Sequence, residues 1–168
     1  MNKVSRLIVL IGVLLIYNNF YAQVSNFPNL SNLRTFSDFR KSEPKLRAAI
    51  KWITNKESIS NKTARKLHID FVDEFVKKSG YLQYRPSKSL VKLQKKSEYN
   101  LQFKLGWLQY ILSYEYSKNQ VENHFQALKY LMSFYDINKN DFGKSSYIEK
   151  MKRLKQKGEL KKFIQSKI

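Results

Sequence analysis

No cysteine occurs anywhere in the 168 residues. That excludes a disulfide framework, a thiolate metal site and a lipid-modified cysteine behind a leader, so any domain must be held by its core alone. Long apolar runs are also wanting. The best, at residues 7–16, is halted by Asn18 and Asn19, short of the roughly 20 apolar residues that a membrane span needs. There is no internal repeat of fixed period, no Gly-x-Ser-x-Gly turn for a nucleophile, and only two histidines, His68 and His124. Neither histidine has a zinc-ligand spacing, and the nearest pairing, His68 with Asp70, points to different faces of a helix.

Acidic residues are scarce beside basic ones, 13 against 32, giving a formal charge of +19. Such a field steers binding toward polyanions, although it also serves plain solubility. The amino end has the three parts of a secretory signal: Lys3 and Arg6, the apolar run at 7–16, and the small residue Ala22 before Gln23. We expect cleavage after Ala22, which lowers the charge to +17 by removing Lys3 and Arg6, and leaves 146 of the 168 residues. That length suits one domain with a continuous core. The 42% hydrophobic and 14% aromatic content is too rich for a disordered chain. The expected destination is periplasmic or extracellular, and the Lys, Asn and Ile bias is bacterial in style.

Helical periodicity dominates the rest. Residues 23–38 read as a loop or tether, and 39–168 as a single helical domain. Ser42, Glu43 and Pro44 look like a helix start, with an apolar stripe of Leu46, Ala49, Ile50 and Ile53 ending near Asn55. A second helix begins at Ser60, places Ala64, Leu67, His68, Phe71, Val72, Phe75 and Val76 on one face, and stops at Gly80. After a connector at 81–86, Ser87 or Ser89 opens the longest helix. Its segment 101–116 is apolar almost all round and belongs at the centre of a bundle. One conflict stands there: Leu101, Phe103, Leu105 and Trp107 alternate with polar or small residues, the pattern of a strand near 99–107. Asn119 and Glu122 start a fourth helix that reaches Tyr135, residues 136–143 read as a turn, and Ser145 or Ser146 caps a final helix that Gly158 breaks. The fold class is therefore an all-α compact bundle of four to five helices, with an α+β fold as the alternative.

The densest positive region is carboxyl-terminal. Lys150, Lys152, Arg153, Lys155, Lys157, Lys161 and Lys162 form the candidate polyanion-binding set. Lysines act as point charges where base reading favours bidentate side chains, so binding through them is expected to be independent of sequence and sensitive to salt. The competing reading is a solvated helix face. Tyr81, Tyr84 and Arg85 could stack on bases or sugars, or else seal the end of the bundle. Asp136, Asn138, Asn140 and Asp141 resemble the start of a calcium loop, but Asp141 stands where a glycine is needed and Tyr147 where a glutamate should close the cage. Asn29 and Asn61 each begin a glycosylation acceptor triplet. No catalytic, metal or cofactor residue is assigned. The functional expectation is an exported, non-enzymatic binding protein whose partner is an anionic envelope surface, a nucleic acid or a protein. The alternative is a small envelope enzyme or toxin with an active site between helices, and a further option is a peptide held in a helical groove.

Overall fold

The computed structural model describes residues 27–91 and 97–168. The leader expected at 1–22 lies outside the described residues, as does Leu93 of the leucine series. Among the described residues are seven α-helices and no strand: α1 Phe36–Ile53, α2 Lys56–Ser60, α3 Lys62–Ser79, α4 Ser97–Ser113, α5 Gln120–Phe142, α6 Ser146–Gln156 and α7 Leu160–Gln165. The chain is thus the all-α bundle its periodicity implies, with α2 and α7 as short additions to the four or five main helices.

Helix α4 sits in the middle because its sequence leaves it no polar face. Tyr99, Gln102, Phe103, Leu105, Gly106, Trp107, Leu108, Ile111 and Leu112 are all buried. Each large apolar side chain removed from water contributes about 1.5–3 kcal/mol, so this helix supplies much of the drive to fold. It pairs most extensively with α5, α1 pairs with α3, and the two hairpins meet where α1 touches α4. Helices α6 and α7 fold back onto α5. The strand alternative at 99–107 is corrected by the same observation: Gln102 and Gly106, which a half-buried strand would turn to water, are as enclosed as Phe103 and Trp107.

The corner where α2, α3 and α4 meet is polar and enclosed. Arg65, buried on α3, donates from Nη1 to the Ile53 carbonyl at 2.6 Å and to Ser58 Oγ, and from Nη2 to Glu98 Oε1 at 2.6 Å. Gln102 Nε2 adds a bond to the same carboxylate oxygen at 2.7 Å. A buried ion pair with this many satisfied donors fixes the geometry of three helices more than it adds to their stability.

Several boundaries differ from the periodic reading. Helix α1 begins at Phe36 rather than near Ser42, because Thr35 and Asp38 form a reciprocal capping box. Pro44 therefore lies inside the helix, where it is exposed. The domain boundary at 39 falls within α1, and the described part of the tether is packed: Leu30 is buried and Phe27 stacks on Phe71 at 4.1 Å. On α3 the buried stripe takes in Arg65, while Leu67 is 60% exposed. Ser87 opens only a turn, and described helix resumes at Ser97. The turn expected at 136–143 is helical through Phe142, making α5 the longest element.

Candidate functional site

The carboxyl-terminal cations occupy the corner between α6 and α7. Ser145 Oγ caps α6 by accepting from the Ile148 N–H at 3.3 Å, and Ile148 and Met151 anchor the helix in the core. At the far end Gly158 takes φ of +73°. Its N–H reaches the Lys155 carbonyl at 3.0 Å, and the Glu159 N–H reaches the Leu154 carbonyl at 2.9 Å. This is a Schellman turn, which suits glycine and reverses the chain so that Leu160 and Ile164 of α7 bury against the bundle.

The seven predicted residues divide by what they touch. Lys152 is spent on Asp136 of α5, an ion pair that raises its pKa above the ordinary lysine value. Lys161 bonds to Glu122 at 2.6 Å and lies over the Phe125 ring at 4.8 Å. The hydrogen bond from Lys161, with a second from Gln126, holds the Glu122 carboxyl below its usual range. These two lysines pin α6 and α7 onto α5. Lys150 leans over Phe163, with 5.1 Å from Nζ to the ring centroid. Arg153, Lys155, Lys157 and Lys162 are exposed and, among the described residues, have no ion-pair partner. Arg153, Lys155 and Lys157 fall at the carboxyl end of α6, where cations complement the helix dipole. Glu159 is the exposed acid nearest to them in sequence.

The other sequence candidates resolve as structural parts. Tyr84 packs edge-on against Trp107 at 5.5 Å, and Tyr81 donates to Glu43 Oε1 at 2.9 Å, while Arg85 is exposed. The two histidines lie apart, each against one tryptophan. His68 stacks on Trp52 at 4.1 Å, and His124 meets Trp107 edge-on at 4.6 Å. His124 Nε2 accepts from the Ser87 N–H at 2.9 Å, so its proton resides on Nδ1 and is donated to the Gln120 carbonyl at 2.6 Å. Burial lowers the pKa of both rings. Asp136, Asn138 and Asp141 are on α5, so the calcium-loop pattern forms no loop. Asn29 and Asn61 use their side chains to accept from Ser31 and Ala64 N–H groups at 3.0 and 3.1 Å. Among the described residues no three His, Asp or Glu side chains converge in a way that could hold a metal ion, and no helix is long and apolar enough to cross a membrane.

Sequence reasoning missed two features. The first is a buried carboxylate: Glu43 Oε1 accepts from Tyr81 Oη at 2.9 Å and from Tyr116 Oη at 2.5 Å, with Arg47 Nη2 3.8 Å from Oε2. Burial, reinforced by the Glu43 bond, raises both tyrosine pKa values. They stay donors, and the trio works as a latch joining α1 to the connector after α3 and the turn after α4. Glu115 and Tyr116 have φ of +48° and +59°, a local strain that the latch helps to maintain. The second is a groove. The backbones of helices α1 and α5 flank α4 without closely approaching each other, Tyr130 of α5 reaches across to Thr54 at the end of α1 and to Gln109 of α4, and three concavities of about 310, 340 and 190 Å³ adjoin along the gap. The first two share Tyr130 and Ser133, and the last two share Gln109 and Ser113. Among the described residues no histidine and no carboxylate lines any of them.

No protein-family model, curated protein or solved structure matches this chain.

Proposed function

We propose that this is an exported binding protein that engages an anionic polymer or surface of the cell envelope through the corner between α6 and α7, without chemical transformation of its partner. The observation that carries the reading is the unequal fate of the seven cations: Lys152 and Lys161 are consumed in ion pairs with α5, whereas Arg153, Lys155, Lys157 and Lys162 are exposed at one turn of the chain. Ile148, Met151, Leu160 and Ile164 of the corner are buried in the bundle, Leu154 and Phe163 are half-buried, and Ile168 is exposed beyond α7. The cations outnumber the exposed apolar side chains there, so attraction is chiefly electrostatic. Export rests on the basic, apolar and small residues at the amino end.

The test is binding of the processed chain to anionic lipid vesicles and to duplex DNA across a salt series. Affinity should fall steeply with salt. Replacing Arg153, Lys155 and Lys157 together by Gln should reduce the DNA salt slope by about 3, since each phosphate left without its cation removes about 0.9. The same replacement of Lys152 and Lys161 should lower stability more than it lowers the slope. Binding that ignores salt, or a triple variant that binds unchanged, would end the proposal.

A further inference from the structure

We propose that the groove between α1 and α5 docks an acidic, amphipathic helix of a partner protein. None of the seven cations of the α6–α7 corner lines it, so this proposal does not depend on the anionic-surface reading.

The shape favours a helix. Two helices that flank a third without meeting leave a trough along it, and a further helix fills such a trough by laying an apolar stripe on its floor. The floor is made shallow and smooth by small residues, Gly106 and Ser113 on α4 and Ser133 on α5. A Cβ added at Gly106 would lie 2.5 Å from Tyr130 Cβ, so the two helices already touch as closely as backbone allows. The wall that α5 contributes runs from Gln126 to Asn138, about 18 Å, or three to four turns of an occupant. Apolar side chains stand open at the margins: Ile137 is 78% exposed and Tyr114 is 62% exposed. Single exposed apolar residues are ordinary, but these two border the same concave surface.

Charge selects the occupant. Among the described lining residues there is one cation on each wall, Arg47 from α1 and Lys129 from α5, and no acid. Lys51 stands one turn beyond Arg47 on α1. Arg47 already donates to the Leu112 carbonyl and faces Glu43, yet a guanidinium has five donors and can serve a further carboxylate. A helix with apolar residues at i, i+3 and i+7 and glutamates on both flanks offers these walls the complementary charge. A second copy of this chain would bring its own +19 charge, and like charges across an interface oppose association.

The experiment titrates a synthetic helix of about 14 residues, three to four turns, carrying that leucine stripe and flanking glutamates, into isotope-labelled protein. Two controls accompany it: a counterpart with lysine flanks, and a glutamate peptide of the same composition with the stripe scrambled. Amide signals of Ser113, Lys129, Tyr130, Ser133 and Ile137 should shift with the striped acidic peptide alone. Lys129→Glu and Ile137→Glu, both surface changes checked for native helicity by circular dichroism, should each weaken binding by about tenfold or more, since each sets a like charge against the acidic flanks. The triple Gln replacement of Arg153, Lys155 and Lys157 should leave it within about twofold. Absence of groove shifts, equal binding of either control peptide, or self-association that Ile137→Glu abolishes would each overturn the proposal.

Discussion

Single side chains carry most of the pH dependence expected of this protein. His68 and His124 are buried and held neutral, with their pKa values lowered chiefly by desolvation. Protonating His124 would set a second N–H against the Ser87 N–H that now donates to it. When the folded pKa lies below the unfolded value, the unfolded chain takes up protons first as pH falls. The stabilising contribution is then complete above about pH 6.5 and is lost as pH falls from there toward the folded pKa. Urea unfolding should accordingly show lower stability at pH 5 than at pH 7, with a smaller difference in the double variant His68→Phe, His124→Gln. An unchanged pH response in that variant would show that carboxylates set it. At this scale the sequence was partly readable. Both histidines lie beside apolar stripes, which marks them as core or boundary groups. The carboxylate of Glu43 gave no such sign, because its partners Tyr81 and Tyr116 are 38 and 73 residues away.

Among the elements, the packing of α4 on α5 is the most exacting. Gly106 is buried where Tyr130 Cβ leaves no room for a methyl group. Gly106→Ala should destabilise the protein by about 1–3 kcal/mol despite the better helix propensity of alanine. Tyr130→Ala should not rescue it, since the clashing Cβ remains; thermal unfolding of the single and double variants checks both statements. The main helices were legible because their apolar residues recur at three and four residue steps. Their ends were less so. Thr35 and Asp38 form a capping box with Asp in place of the usual Glu or Gln, and the segment 136–142 is rich in turn-forming residues yet stays helical, with Asn138 buried and bonded to the Phe134 carbonyl at 2.9 Å. Leu67 was misplaced because a stripe read from apolarity alone passes over Arg65, whose burial depends on Glu98 from another helix. The α6–α7 corner was visible as a run of cations. Which of them are engaged was not, for Asp136 and Glu122 reach Lys152 and Lys161 only through the fold. The groove needs three helices in place and has no sequence signature.

Taken whole, the molecule carries far more positive charge than its acids can balance. The chain has only 13 acidic residues, and among the described ones seven are already in ion pairs, so the excess repels itself across the surface. Screening should relieve that strain: the melting temperature should rise between low and physiological ionic strength, as the Debye length shrinks from about 30 Å to about 8 Å. Comparing chloride with sulfate at equal ionic strength separates screening from anion binding, since a bound anion stabilises beyond its screening effect. A melting temperature that ignores or falls with chloride would show that self-repulsion is not limiting. The pairing of each tryptophan with its own histidine has a practical side. The chain has two of each residue, and a charged imidazole quenches indole emission more strongly than a neutral one. The light emitted by Trp52 and Trp107 is therefore an internal gauge of ring charge at two separate depths of the core, and replacing either indole by phenylalanine leaves a single-channel sensor for the other.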